Sequence, residues 1–134
     1  MAIQAARALA RYPGLAPIDA YGNGGFRFAG MSHRGSILCL PQAIEAWEPR
    51  SVDALAPRDF DSVLAARDQI DFVLLGTGDA HRMPPAAIRH MFAAAGLGLD
   101  VMATGAAART YNILIAESRR VAAALIAVGD APGA

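Results

Sequence analysis

Phe72-Val73-Leu74-Leu75 is an unbroken apolar run that stops at Gly76. A strand with one face in water alternates apolar and polar residues, so a run without alternation fits a strand covered on both faces. Strands of this kind belong to sheets with parallel pairing and helices packed against them. The segments around the run agree. Upstream, Pro57 suits the first helical position, and Phe60, Val63 and Leu64 follow at helical spacing. Downstream, Pro84-Pro85 opens a helix whose apolar stripe is Ile88, Met91, Phe92 and Ala95, with Gly96 as its C-terminal stop. A strand over 99–102 comes next, then a helix capped by Thr104 with Ala107, Tyr111, Leu114 and Ile115 facing inward, and a last strand over 120–128.

The first half reads differently. Ile18-Asp19-Ala20-Tyr21, the turn cluster Gly22-Asn23-Gly24-Gly25 and Phe26-Arg27-Phe28 predict a hairpin. Met31-Ser32-His33-Arg34-Gly35 reads as a second turn, followed by an apolar strand from Ser36 to Leu40 closed by Pro41, and a strand over 44–48 that carries Trp47 and stops at Pro49. A chain of 134 residues buries roughly two thirds of its unfolded surface and folds without a metal or disulfide. The expected organisation is a flexible N-terminal extension over 1–15, one α/β domain over 16–129 and a tail over 130–134.

Charge narrows the partners. Twelve arginines and no lysine balance twelve carboxylates, so no long-range field draws the protein to nucleic acid. Cys39 is alone and sits in the apolar run Ile37-Leu38-Cys39-Leu40, which fits a buried thiol in a reducing, cytoplasmic setting. No run of eighteen apolar residues exists, so no membrane-spanning helix is expected. Arg7 and Arg11, with no acid before Asp19, are compatible with a segment lying peripherally on an anionic membrane or with a frayed terminus.

Two segments carry candidate chemistry. Gly76-Thr77-Gly78-Asp79 is a glycine turn between a buried strand and a helix, able to aim N–H groups at an anion. It is not a dinucleotide fingerprint, since the third glycine position is His81. The commoner role of such a turn is a tight connection with Gly76 and Gly78 at positive φ. The second segment, from Thr104 through Arg109, Thr110, Tyr111 and Asn112, brings polar groups to the start of a helix. Asn112 then either faces a partly buried cleft or binds neighbouring backbone, and Tyr111 either anchors its hydroxyl or contacts a ligand. Both segments follow strands, so together they could line one crevice. His33, His81 and His90 are scattered, no Cys/His cluster has zinc spacing and no nucleophile elbow is present. No cofactor, metal or catalytic set is therefore expected. Trp47, flanked by Glu45 and Glu48, is the candidate partner contact, against the commoner role of a core anchor.

Taken in order, Ile18-Asp19-Ala20-Tyr21 with Gly25-Phe26, Gly35-Ser36-Ile37-Leu38, Leu75-Gly76-Thr77-Gly78 and above all Arg109-Thr110-Tyr111-Asn112 with Glu117 and Arg119-Arg120-Val121 resemble the Mth-type domain family, domain of unknown function 498. The resemblance implies a single three-layer α/β domain with a central mixed sheet, helices and an additional N-terminal β-hairpin element. It also implies an interaction protein and not an enzyme, since eukaryotic members are associated with assembly of respiratory complex I at the inner membrane; the alternative is a small-molecule or anion-binding protein, an enzyme included, that uses the crevice between Gly76–Asp79 and Thr104–Asn112. The implied partners are complex I subunits or other assembly factors, bound by a monomer or a dimer. Two departures stand out. Ala108 occupies a position that is often Cys in the family, and Glu117-Ser118-Arg119 replaces Glu-Gly-Arg.

Overall fold

The computed structural model describes residues 10–129. In chain order the strands are β1 (Arg11–Pro13), β2 (Ile18–Gly22), β3 (Gly25–Phe28), β4 (Met31–Arg34), β5 (Ser36–Leu40), β6 (Ala43–Trp47), β7 (Phe72–Gly76), β8 (Gly98–Met102) and β9 (Val121–Leu125). The helices are α1 (Asp61–Ala65), entered through a 3₁₀ turn at Pro57–Phe60, α2 (Ala86–Ala95) and α3 (Thr104–Ala116).

The apolar run becomes β7, buried in a six-stranded sheet of order β1-β6-β5-β9-β7-β8. Its pairs with β8 and β9 are parallel, and the remaining pairs are antiparallel. The connections explain why both faces are covered. β7 runs through α2 to β8 on one side and β8 returns through α3 to β9 on the other side. Two right-handed crossovers in opposite directions place their helices on opposite faces. Side chains sort accordingly. Leu38, Leu40, Val73, Leu75, Ala122 and Ala124 face Phe60, Val63, Ile88 and Phe92. Ile37, Cys39, Leu74, Ala123 and Leu125 face Ala107, Ala108 and Tyr111 of α3 and Phe26 and Phe28. Alanines at both surfaces of the α3 contact let that helix lie close to the sheet.

The hairpin is a three-stranded antiparallel sheet, because Met31–Arg34 is a strand and not the expected turn: Phe28 pairs with Met31 and Gly25 with Arg34. The reversal lies at Ala29 and Gly30, both at positive φ. With α3 this small sheet forms the third layer.

β1 falls within the expected N-terminal extension, and its Arg11, Tyr12 and Pro13 pair with Glu45, Ile44 and Ala43. That pairing covers β6 from Ala43 to Glu45. The segment around Arg7 and the 130–134 tail lie outside the described residues. Thr104 does not cap α3, since Ala103 holds the cap position. Both long helices end in a Schellman pattern. In α2, Gly96 takes φ 67° and Leu97 N–H bonds Phe92 O at 3.1 Å. In α3 the same place falls to Ser118 at φ 60°, with Arg119 N–H on Leu114 O at 2.9 Å. This left-handed position favours glycine, and Ser118 adopts it at some cost.

Candidate functional site

The C-terminal ends of β7, β8 and β9 meet where the strand order reverses, the usual place for a ligand crevice in an open α/β sheet. Here the protein's own groups fill it. Thr77 N–H donates to Met102 O at 2.9 Å, and Gly78 N–H to Thr104 Oγ1 at 2.9 Å. Thr104 Oγ1 donates in turn to Ile126 O at 2.7 Å, and Thr104 N–H bonds Gly78 O at 2.9 Å. The Thr77 hydroxyl donates to Ala80 O at 2.5 Å and accepts from Arg82 N–H at 3.2 Å. The N–H groups expected to receive an anion are therefore spent on holding three strands together, and Thr77 and Thr104 are buried. Gly78 takes φ 100° as expected, but Gly76 does not. Gly76 is required by close approach: a Cβ there would stand 2.9 Å from Thr104 Cα and 3.0 Å from a Leu125 methyl. Asp79 projects into solvent.

The second half of the expected crevice is elsewhere. Asn112 accepts from Ile18 N–H and donates to Ile18 O, both at 2.8 Å, and so clamps β2 onto α3. Thr110 lies against Met102 Sδ at 3.8 Å. Arg109 is exposed near Gly105, over which the Tyr21 hydroxyl rests. A surface depression of about 250 Å³ beside Gly78 and Asp79 includes none of Arg109, Thr110 and Asn112. The depression beside Gly78 thus does not reach 109–112, where Asn112 is bonded to Ile18 and Thr110 lies against Met102.

Tyr111 is fully buried, and its hydroxyl has no hydrogen-bond partner that meets ordinary geometry. The group beside it is the Cys39 thiol, which burial pushes up to about 12. Burial likewise raises the Tyr111 phenol, with the thiol reinforcing the effect. Neither group ionises near neutral pH, so this pair is packing and not a thiolate site. Trp47, expected as a partner contact, is 7% exposed. Its Nε1–H donates to Asp59 O at 2.7 Å and its ring meets Phe60 edge-on, so it anchors the core and presents almost nothing to a partner. Among the described residues no three His, Cys, Asp or Glu side chains gather as a metal site.

Sequence reasoning missed the contact between Tyr12 and His33. The Tyr12 hydroxyl lies 3.0 Å from His33 Nδ1, and the Tyr12 ring packs edge-on against Phe28. This ties β1 to β4. Burial lowers the His33 pKa from its usual 6.5, opposed in part by a bond to the Ser36 backbone. The unfolded chain therefore takes up the proton first as pH falls through 6.5, and stability drops until the folded imidazole is also charged. Thermal melts between pH 7.5 and 5 will show a declining midpoint. The slope flattens in His33→Gln; an unchanged slope would assign the decline to other groups.

Comparison with known proteins places this geometry. Residues 18–126 match the model of a protein family described as "Protein of unknown function (DUF498/DUF598)". The chain belongs to the DUF498/DUF598 family. Its relatives include an uncharacterised protein of Rhodobacter capsulatus, 38% identical over 130 residues, covering 92% of this chain and 94% of the relative. Another DUF498/DUF598 relative is the bovine NADH dehydrogenase [ubiquinone] 1 alpha subcomplex assembly factor 3, 33% identical over 110 residues. That match covers 81% of this chain but 59% of the bovine protein. A solved structure described as an outer membrane protein from Bartonella henselae superposes with a TM-score of 0.81 at 50% identity, covering 87% of this chain and 98% of that one. Among the described residues of this DUF498/DUF598 member, no helix is long and apolar enough to cross a membrane.

Proposed function

We propose that this protein is an assembly factor that acts by binding a protein partner during construction of respiratory complex I, working from the cytoplasmic side of the inner membrane. The observation that carries this reading is its relation to the bovine assembly factor over 81% of the chain. The internal use of the Gly76–Gly78, Thr104 and Asn112 hydrogen-bonding groups supports a binding role over an anion-handling enzyme, because those groups bond the fold itself. Deleting the gene in its host is the test. Complex I abundance on native gels should fall, with partial assemblies accumulating, and the restored gene should reverse both effects. Unchanged complex I would remove the reading.

A further inference from the structure

Three surface depressions adjoin one another through shared lining residues. The first, about 500 Å³, covers the outer face of the β2-β3-β4 sheet. It meets a second of about 380 Å³ at His33 and Arg34, and the second meets the depression beside Gly78 at Arg50. The charged residues along this path are Arg27, Arg34, Arg50 and Arg82, against Glu48 and Asp79. The path is thus net positive on a chain whose total charge is zero. Among the described residues only Arg82 of these four has a carboxylate within salt-bridge reach, Asp53 at 3.2 Å, and that pair is exposed. Backbone bonds join the elements beside this path: Gly24 N–H to Val128 O at 2.8 Å and Gly35 N–H to Gly24 O at 2.7 Å.

Resting on the assembly-factor reading, we propose that this groove seats an extended acidic segment of the partner protein. Charge is the reason: Arg27, Arg34 and Arg50 line these depressions with no carboxylate within salt-bridge reach among the described residues. Guanidinium groups bind carboxylates in a planar two-point fashion. Exposed and without an ion pair among the described residues, Arg27, Arg34 and Arg50 are available to the carboxylates of another molecule. A concave channel does not follow a flat lipid surface. Glu48 and Asp79 within it disfavour a continuous polyphosphate, while a peptide can set neutral residues opposite them.

The probe is a dye-labelled twelve-residue peptide of alternating Glu and Val, read by fluorescence anisotropy at 50 mM and 300 mM NaCl, with a Lys-Val peptide as control. The protein should bind the acidic peptide only, and more weakly at high salt. R34E/R50E should weaken binding at least about tenfold, the loss of two charge-assisted contacts. R67E/R119E makes the same charge change at exposed sites outside the groove and should leave binding within about twofold. Circular dichroism melts confirm that all variants are folded. Equal binding by R34E/R50E, no binding of the acidic peptide at 50 mM NaCl, or capture by anionic vesicles in preference to the peptide would each overturn the proposal. In the deletion strain, R34E/R50E that restores complex I as well as the parent gene would overturn the groove while leaving the assembly reading intact. A deletion without phenotype would sink the assembly reading, and the peptide titration alone would then decide the groove.

Discussion

Phe60→Ala is expected to cost about 3–5 kcal/mol of folding free energy, the range for removing a large buried aromatic ring. Phe60 is fully buried, with ring centroids 5.5 Å from Trp47 and 5.1 Å from Phe92, both edge-on. It is therefore the middle ring of three that join β6, the 3₁₀ turn before α1, and α2. Truncation removes the transfer free energy of the ring and leaves a cavity between two partners held by separate elements. Trp47 cannot follow into the space without giving up its bond to Asp59 O. Against a total stability of about 5–15 kcal/mol for a domain, such a loss brings the fold near its threshold. Urea unfolding followed by Trp47 fluorescence measures it directly. A loss below about 1 kcal/mol would mean that the ring cluster is not the anchor of that face.

Asn112→Ala should cost about 2–3 kcal/mol, because it strips both the N–H and the C=O of Ile18 of their partner where β2 meets α3. The aspartate variant separates the two bonds. A carboxylate at 112 still accepts from Ile18 N–H but sets a negative oxygen against Ile18 O, which raises the pKa of the new group in the folded state. A raised folded pKa stabilises the protein at low pH and withdraws that stability as pH rises through it. Asn112→Asp should therefore lie well below the parent protein at pH 7 and recover toward it near pH 4, where the protonated acid donates to Ile18 O. The measurement is the urea midpoint of the variant relative to the parent at both pH values. A difference that does not change with pH would mean that the clamp is not formed.

Much of the fold was legible because its signals are local. The unbroken run at Phe72 to Leu75 announced a strand covered on both faces, and it became β7, buried and paired on both sides between β9 and β8. Proline and glycine positions fixed the ends of α2, and the stripe of Ile88 and Phe92 faces the core as its spacing required. β4 was missed for an equally physical reason. Met31, Ser32 and Arg34 are exposed on a two-sided polar strand, so no apolar alternation betrays it. Only its ladder with β3 makes it a strand. β1 is three residues long and contains a proline, too little for any periodic signal.

The candidate site was misjudged because polar side chains take their meaning from distant partners. The sequence determined which residues are polar and on which element each would sit: Thr104 and Asn112 on a helix, Gly76 and Gly78 at a strand end. Tertiary structure decided what they do. Thr104 finds Gly78 across 26 positions and Asn112 finds Ile18 across 94. Those pairings depend on the opposite directions of two crossovers, which bring α3 over the sheet and the β2-β3-β4 layer against it. Hydrophobic patterning acts between neighbours three or four residues apart and can be read along the chain. A hydrogen bond between groups 94 residues apart exists only once the layers have closed, so the chain alone names the donors and the fold chooses their acceptors.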